Sequence, residues 1–232
     1  MKKRYEIIDL WRTAALLTML VYHFIYDLGL FGFITWEQVF SFGPQAVQKF
    51  TCYSFIFISG MSCRFSKGNI RRGMVTFICA MAVSLVSLIA GIPILFGILH
   101  MLGVSMILYG LIEKHFEKYL EKIPKFIAPF LWLVLFVAAK IWIDGAPSVG
   151  TRLLFPLGFT YSGFSSSDYF PLLPWFFLFL AGTAVGKIIT EKSPAWLSAS
   201  IPRWLTWPGR HTLIVYLVHQ PILYALFYVF IM

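Results

Sequence analysis

Runs of about 18 to 25 mostly apolar residues recur along this chain, separated by short polar joints, and that recurrence limits the fold more than any single residue does. They fall at about residues 8 to 30, 46 to 63, 73 to 91, 93 to 112, 126 to 143, 171 to 189 and 210 to 231. In lipid every backbone polar group must pair inside its own segment or in a closed barrel, and these runs lack the period-two alternation of barrel strands. The expected class is therefore all-α, a polytopic transmembrane bundle of about seven helices. A content of 59% hydrophobic and 12% charged residues, with 24 Phe and 8 Trp, excludes an ordinary soluble domain. The 232 residues leave no space for a separate soluble module, so residues 1–232 read as one transmembrane domain. The basic start is followed by a run that is long, carries Asp9 and Arg12, and lacks a small-residue cleavage site, so it is expected to be retained as a first helix.

The net charge of +9 is distributed in short clusters beside the apolar runs, not on one continuous surface, which argues against a nucleic-acid partner. Lys2, Lys3 and Arg4, then Arg64, Lys67, Arg71 and Arg72, then Lys114, Lys118, Lys122 and Lys125, and finally Lys187, Lys192, Arg203 and Arg210 fall at one set of helix ends. With Arg12 these are sixteen of nineteen basic residues, against Lys49, Lys140 and Arg152 at the other ends. The positive-inside rule then puts the N-terminus inside and the C-terminus outside, in a multi-pass protein of the cell (cytoplasmic) membrane surrounded by lipid. Glu113, Glu117 and Glu121 interleave with Lys114, Lys118 and Lys122, a pattern that fits a solvated helical extension. Cys52, Cys63 and Cys79 sit in or beside apolar runs with no metal spacing and read as buried thiols.

Ionisable residues inside the first run are the strongest functional signal. Eleven steps of 100° bring His23 back to within about 20° of Arg12, about 16 Å further along the axis, and Asp9 and Asp27 fall about 60° from Arg12 on the same side. Ionisable groups in a membrane helix cost several kcal/mol unless they face partners or a wet cavity. Asp9 and Arg12, three residues apart near an interface, fit a plain ion pair as well as a functional role. For His23, one turn before Asp27, two readings stand: a core histidine with a satisfied ring, or a general base oriented by the carboxylate.

Other polar positions follow the same division. His100 lies in Phe96-Gly97-Ile98-Leu99-His100-Met101-Leu102-Gly103, where the glycines suit close helix approach and the imidazole fits either a cavity wall or a bond to a nearby carbonyl. The last run opens with Pro208-Gly209-Arg210-His211 and carries Tyr216, His219 and Gln220 before Pro221, whose missing N–H predicts a kink beside His219. Arg210 and His211 suit either phosphate or a simple inner anchor. Residues 144 to 170 form a long outer joint rich in Gly and Pro, with Arg152 in it, and read as a recognition lid or a plain surface loop. No His-Glu-x-x-His or paired-cysteine spacing is present, so no metal is expected, and there is no glycine-rich nucleotide loop.

Ile8-Asp9-Leu10-Trp11-Arg12, Tyr22 to Leu28, Phe57-Ile58-Ser59-Gly60, Phe96 to His100, Gly209 to Leu213 and Tyr216-Leu217-Val218-His219-Gln220-Pro221 together resemble the heparan-α-glucosaminide N-acetyltransferase catalytic-domain family, including its short bacterial members. The arginine, ten residues, histidine spacing is similar to the signature of the wider membrane acyltransferase family. Thr13 stands where the family commonly has glycine, and the chain has fewer helices than the lysosomal members, so the named sugar specificity is not carried over. The resemblance implies an acyltransferase that takes an acyl group, usually acetyl, from coenzyme A inside and gives it to a hydroxyl or amine acceptor outside, small molecule or glycan.

On that reading Arg12, Arg71 and Arg72 are candidates for the anionic head of the acyl-CoA donor, joined by Arg210, His211 and His100 along its path. His23 and Asp27 are the catalytic candidates, and His219, Gln220 and Arg152 the acceptor-side ones, with His100, His219 and Gln220 available to the thioester oxyanion. Homodimerisation is a further expectation. Two other classes use the same polar residues: a proton-coupled transporter, and a non-catalytic membrane subunit.

Overall fold

The computed structural model describes residues 5–120, 123–192, 194, 197 and 199–231. Lys2, Lys3, Arg4, Glu121 and Lys122, counted above, lie outside the described residues, as do the side chains of Lys114 and Glu117. Among the described residues the chain is all-α, 74% helical with no strand. The helices are α1 (Glu6–Leu30), α2 (Trp36–Val39), α3 (Phe42–Cys63), α4 (Asn69–Ile89), α5 (Ile98–Leu120), α6 (Ile127–Asp144), α7 (Leu172–Lys192), α8 (Arg203–Arg210) and α9 (Thr212–Ile231). Five of them, α1, α4, α6, α7 and α9, are long and apolar enough to cross a membrane. The expected runs 46 to 63 and 93 to 112 correspond to α3 and α5. Gln45, Gln48 and Lys49 dilute the first of these, and the apolar part of the second is confined to Ile98–Glu113. Helix α5 does continue through the Glu/Lys segment to Leu120, as the charge pattern requires.

Packing divides the chain into two compact units, residues 1–55 with 193–232, and residues 56–192. In the first, α1 runs in the same direction as α8 and α9 and meets them at successive levels: Glu6 at Ile201 and Arg210, Thr13 at Gly209, His23 at His219, Asp27 at Gln220, and Phe31 at Tyr224 and Phe227. The start of α3 joins this unit through Trp11 Nε1, which donates to Ser54 Oγ at 3.1 Å, and through Thr51 Oγ1, which donates to Thr18 Oγ1 at 2.8 Å. Helix α2 is closed by a capping box between Thr35 and Gln38. Helix α9 continues through Pro221 without a break; the break in this region is at His211, between α8 and α9.

In the second unit α4 and α5 form an antiparallel pair whose contact is made by small residues. A Cβ on Gly73 would strike Gly103, one on Gly103 would strike Phe77, and one on Gly110 would strike Ile70. The end of α3 lies against α7 in the same way, with Gly60 on the Phe179 carbonyl and Gly182 on the Phe57 carbonyl. Helix α5 starts five residues later than its hydropathy suggests, because residues 93–98 are laced to the long joint of residues 144 to 170. Ser167 N–H donates to Pro93 O, Phe170 N–H to Phe96 O, Leu95 N–H to Ser166 Oγ, and Ile98 N–H to Asp168 Oδ2 at 2.9 Å. Asp168 thus supplies the acceptor that the first turn of α5 needs.

Candidate active site

The first unit concentrates polar atoms where α1 and α9 touch. His23 and His219 meet edge to face with ring centroids 4.6 Å apart, and Gln220 Nε2 donates to Asp27 Oδ1 at 2.8 Å. Asp27 is 0% exposed and His219 7%. Each imidazole gives its Nδ1 proton to a main-chain carbonyl of its own helix, His23 to Met19 O at 2.9 Å and His219 to Tyr216 O. A carbonyl can only accept, so in each neutral ring Nδ1 carries the proton and Nε2 the lone pair. Tyr22, buried beside His23 with its ring edge-on at 5.7 Å, fills the space along the imidazole.

The expected orientation of His23 by Asp27 is therefore replaced by another arrangement. The carbonyl one turn earlier on α1 fixes the His23 ring, and Asp27, one turn later, turns to the Gln220 amide. Both partners are within helical reach of His23, and the amide from α9 claims the carboxylate. Asp27 Oδ2, His219 Nε2 and Gln220 Oε1 are buried and have no hydrogen-bond partner among the described residues. All three are acceptors, and an unmet buried acceptor costs about 1 to 3 kcal/mol. Against a total stability of about 5 to 15 kcal/mol, three in one cluster is a large sum unless a donor group is meant to enter.

At the other end of α1 the predicted donor-binding arginines face carboxylates, and Arg210 Nε is buried with no hydrogen-bond partner among the described residues. Arg12 Nη1 lies 2.5 Å from Asp9 Oδ1, Arg210 Nη2 lies 3.1 Å from Glu6 Oε1, and Arg210 Nε lies 3.8 Å from Asp9 Oδ2. Glu6 escaped the sequence reading, although its position one turn before Asp9 at the start of α1 was the available signal. His211 is exposed, its Nδ1 bonded to Trp207 O at 2.9 Å and its ring 4.7 Å from that of Trp207.

The remaining predicted residues belong to the second unit. His100 is 3% exposed, set between Phe77, edge-on at 5.6 Å, and Phe96, stacked at 5.5 Å, with Nε2 3.4 Å from Ser84 Oγ. Ser84 in turn donates to Ile94 O, a partner that the sequence gave no reason to single out. Arg71 and Arg72 lie in the first turn of α4, and among the described residues neither is in an ion pair. Arg152 lies over the Tyr161 ring at 5.3 Å, beside an aromatic cluster of Phe155, Phe164 and Tyr169 that fills the interior of the long joint. Burial pushes the Asp168 carboxyl up to about 6, against the opposing pull of the Ile98 N–H. Among the described residues no group of three or more His, Cys, Asp or Glu could hold a metal ion.

Chemically, the α1–α9 cluster offers two imidazole lone pairs, one carboxylate oxygen and one amide oxygen, with the second Gln220 N–H left as a donor. A neutral His219 cannot stabilise an oxyanion through Nε2, so that task falls to the Gln220 amide or to an imidazolium. Such a cluster can hold a hydroxyl or amine and take a proton from it. No curated protein and no solved structure matches the chain. A family model described as heparan-alpha-glucosaminide N-acetyltransferase, catalytic, matches residues 4–221, a stretch that includes every predicted site residue. With that match over nearly its whole length, the chain belongs to the heparan-α-glucosaminide N-acetyltransferase catalytic-domain family.

Proposed function

We propose that this membrane acetyltransferase moves an acetyl group from acetyl-CoA, supplied on the cytoplasmic side of the cell membrane, to a hydroxyl or amine of a sugar-like acceptor on the outer side. Family membership supports the enzyme class, and the observation that carries the assignment of the site is the set of unmet buried acceptors beside His23. An entering hydroxyl or amine supplies the missing donors. His23 Nε2 takes its proton as the oxygen or nitrogen attacks the acetyl carbonyl carbon. The carbon–sulfur bond then breaks, and the departing thiolate recovers that proton from the imidazolium. The Met19 carbonyl keeps His23 in the tautomer this requires, and Asp27 with Gln220 receives the acceptor.

Arg71 and Arg72, which among the described residues are in no ion pair, stay the candidates for the donor's anionic nucleotide, and Arg152 for the acceptor. The family match runs through both compact units, which supports reading residues 1–232 as one working domain. The family match gives the transporter reading no support. In sealed vesicles containing the purified protein, acetyl-CoA with an amino-sugar or polyol acceptor should release free thiol in proportion to acetylated product. Absence of thiol release with every hydroxyl and amine acceptor supplied, from protein shown to be folded, would refute the assignment.

A further inference from the structure

We infer that Arg210 is a positioning residue, forming with Glu6 and Asp9, the latter also paired with Arg12, a charge clasp that sets the register of α1 against α8 and α9 and so brings His23 to His219. Among the described residues the clasp holds two guanidinium groups and two carboxylates, whose formal charges cancel. Asp9 is 1% exposed and lies between both arginines, a placement in which a donor phosphate would have to displace a buried carboxylate of the same sign. Main-chain contacts reinforce the clasp. Glu6 Oε2 accepts from Ile201 N–H at 2.6 Å, and Thr13 Oγ1 accepts from Gly209 N–H at 3.0 Å while donating to Asp9 O.

Gly209 is the point of closest approach, since a Cβ there would strike the Asp9 carbonyl. Beside it the α8 side chain Thr206 is 0% exposed. Helix α8 is thus seated on α1 by charge, by hydrogen bonds and by the lack of a side chain at one position. After the break at His211 the chain enters α9, so the seating of α8 fixes where His219 and Gln220 arrive along α1. Thr13 is in this chain a working part of the clasp.

The test uses Glu6→Gln and Arg210→Met, singly and together, in the full-length protein. One arm is independent of activity: disulfide yield between cysteines replacing His23 and His219, under limiting oxidant, with single-cysteine controls. Each substitution should lower that yield at least threefold, and the double variant should be no worse than either single one. The kinetic arm, which rests on the acetyltransferase reading, should show kcat falling about tenfold with the KM for acetyl-CoA unchanged.

Unchanged cross-linking in all three variants overturns the clasp. So does an acetyl-CoA KM that rises about tenfold in Arg210→Met and falls in Glu6→Gln, the result expected if a carboxylate were competing with the donor for this arginine. Cross-linking that follows the expectation in a protein that transfers no acetyl group leaves the clasp standing and removes the proposed function alone.

Discussion

His23 with His219 and His100 occupy opposite kinds of surroundings, one in each compact unit. Around His100 the ring is enclosed by Phe77 and Phe96 with Ser84 Oγ 3.4 Å from its Nε2, and neither His100 nor Ser84 has a buried side-chain atom without a hydrogen-bond partner among the described residues. Around His23 the ring is held by a single main-chain carbonyl, and its neighbours keep three buried acceptors without partners. Burial alone does not separate the two, because His100 and His219 are both nearly inaccessible. What separates them is unmet hydrogen-bonding capacity, which a packed core removes and a site for a donor group retains.

That contrast can be broken at Asp27. Asp27→Asn keeps the shape but removes the carboxylate charge, and acetyl transfer should fall about 10- to 100-fold, the worth of one hydrogen bond to a charged group. Loss of less than twofold in a steady-state assay would place Asp27 among structural carboxylates. Gly209→Ala is expected to come next, with about 1 to 3 kcal/mol of stability lost because the new methyl must push α8 from α1, read as a lowered thermal midpoint in detergent. A volume-similar change in the other region, His100→Phe, should cost less than about 1.5 kcal/mol, since the ring already sits between aromatic faces.

The smallest expected effect is a pH dependence at Asp168, outside the spanning helices. Its folded pKa of about 6 is raised, so its contribution to stability is fully present below the ordinary carboxylate range and is lost as pH rises through about 6. The thermal midpoint of the native protein should therefore gain more on acidification from pH 7 to pH 5 than that of Asp168→Asn. Equal gains in the two proteins would mean that this carboxyl is not held by burial.

Five of the seven expected spans and the polar face of α1 were legible because both depend on periodicity and on the cost of charge in lipid. Partner choice was not. Spacing places Asp27 one turn from His23 but says nothing of the Met19 carbonyl, available at the same reach, or of an amide arriving from a helix nearly two hundred residues later. Arg210 read as an inner anchor or a phosphate ligand because Glu6 gains its meaning only when α8 lies against α1. Residues 93–97 are apolar enough for a helix, yet their N–H and C=O groups bond to residues 166–170, a tertiary partner that outranks local preference.

The most direct test sets the two regions side by side: acetyl transfer from acetyl-CoA by His23→Ala and by His100→Phe, each purified, folded and saturated with donor. His23→Ala should lose at least about 100-fold and His100→Phe less than about threefold, as expected for a general base and a packed ring. Equal rates for native protein and His23→Ala, or the larger loss at His100, would contradict that assignment.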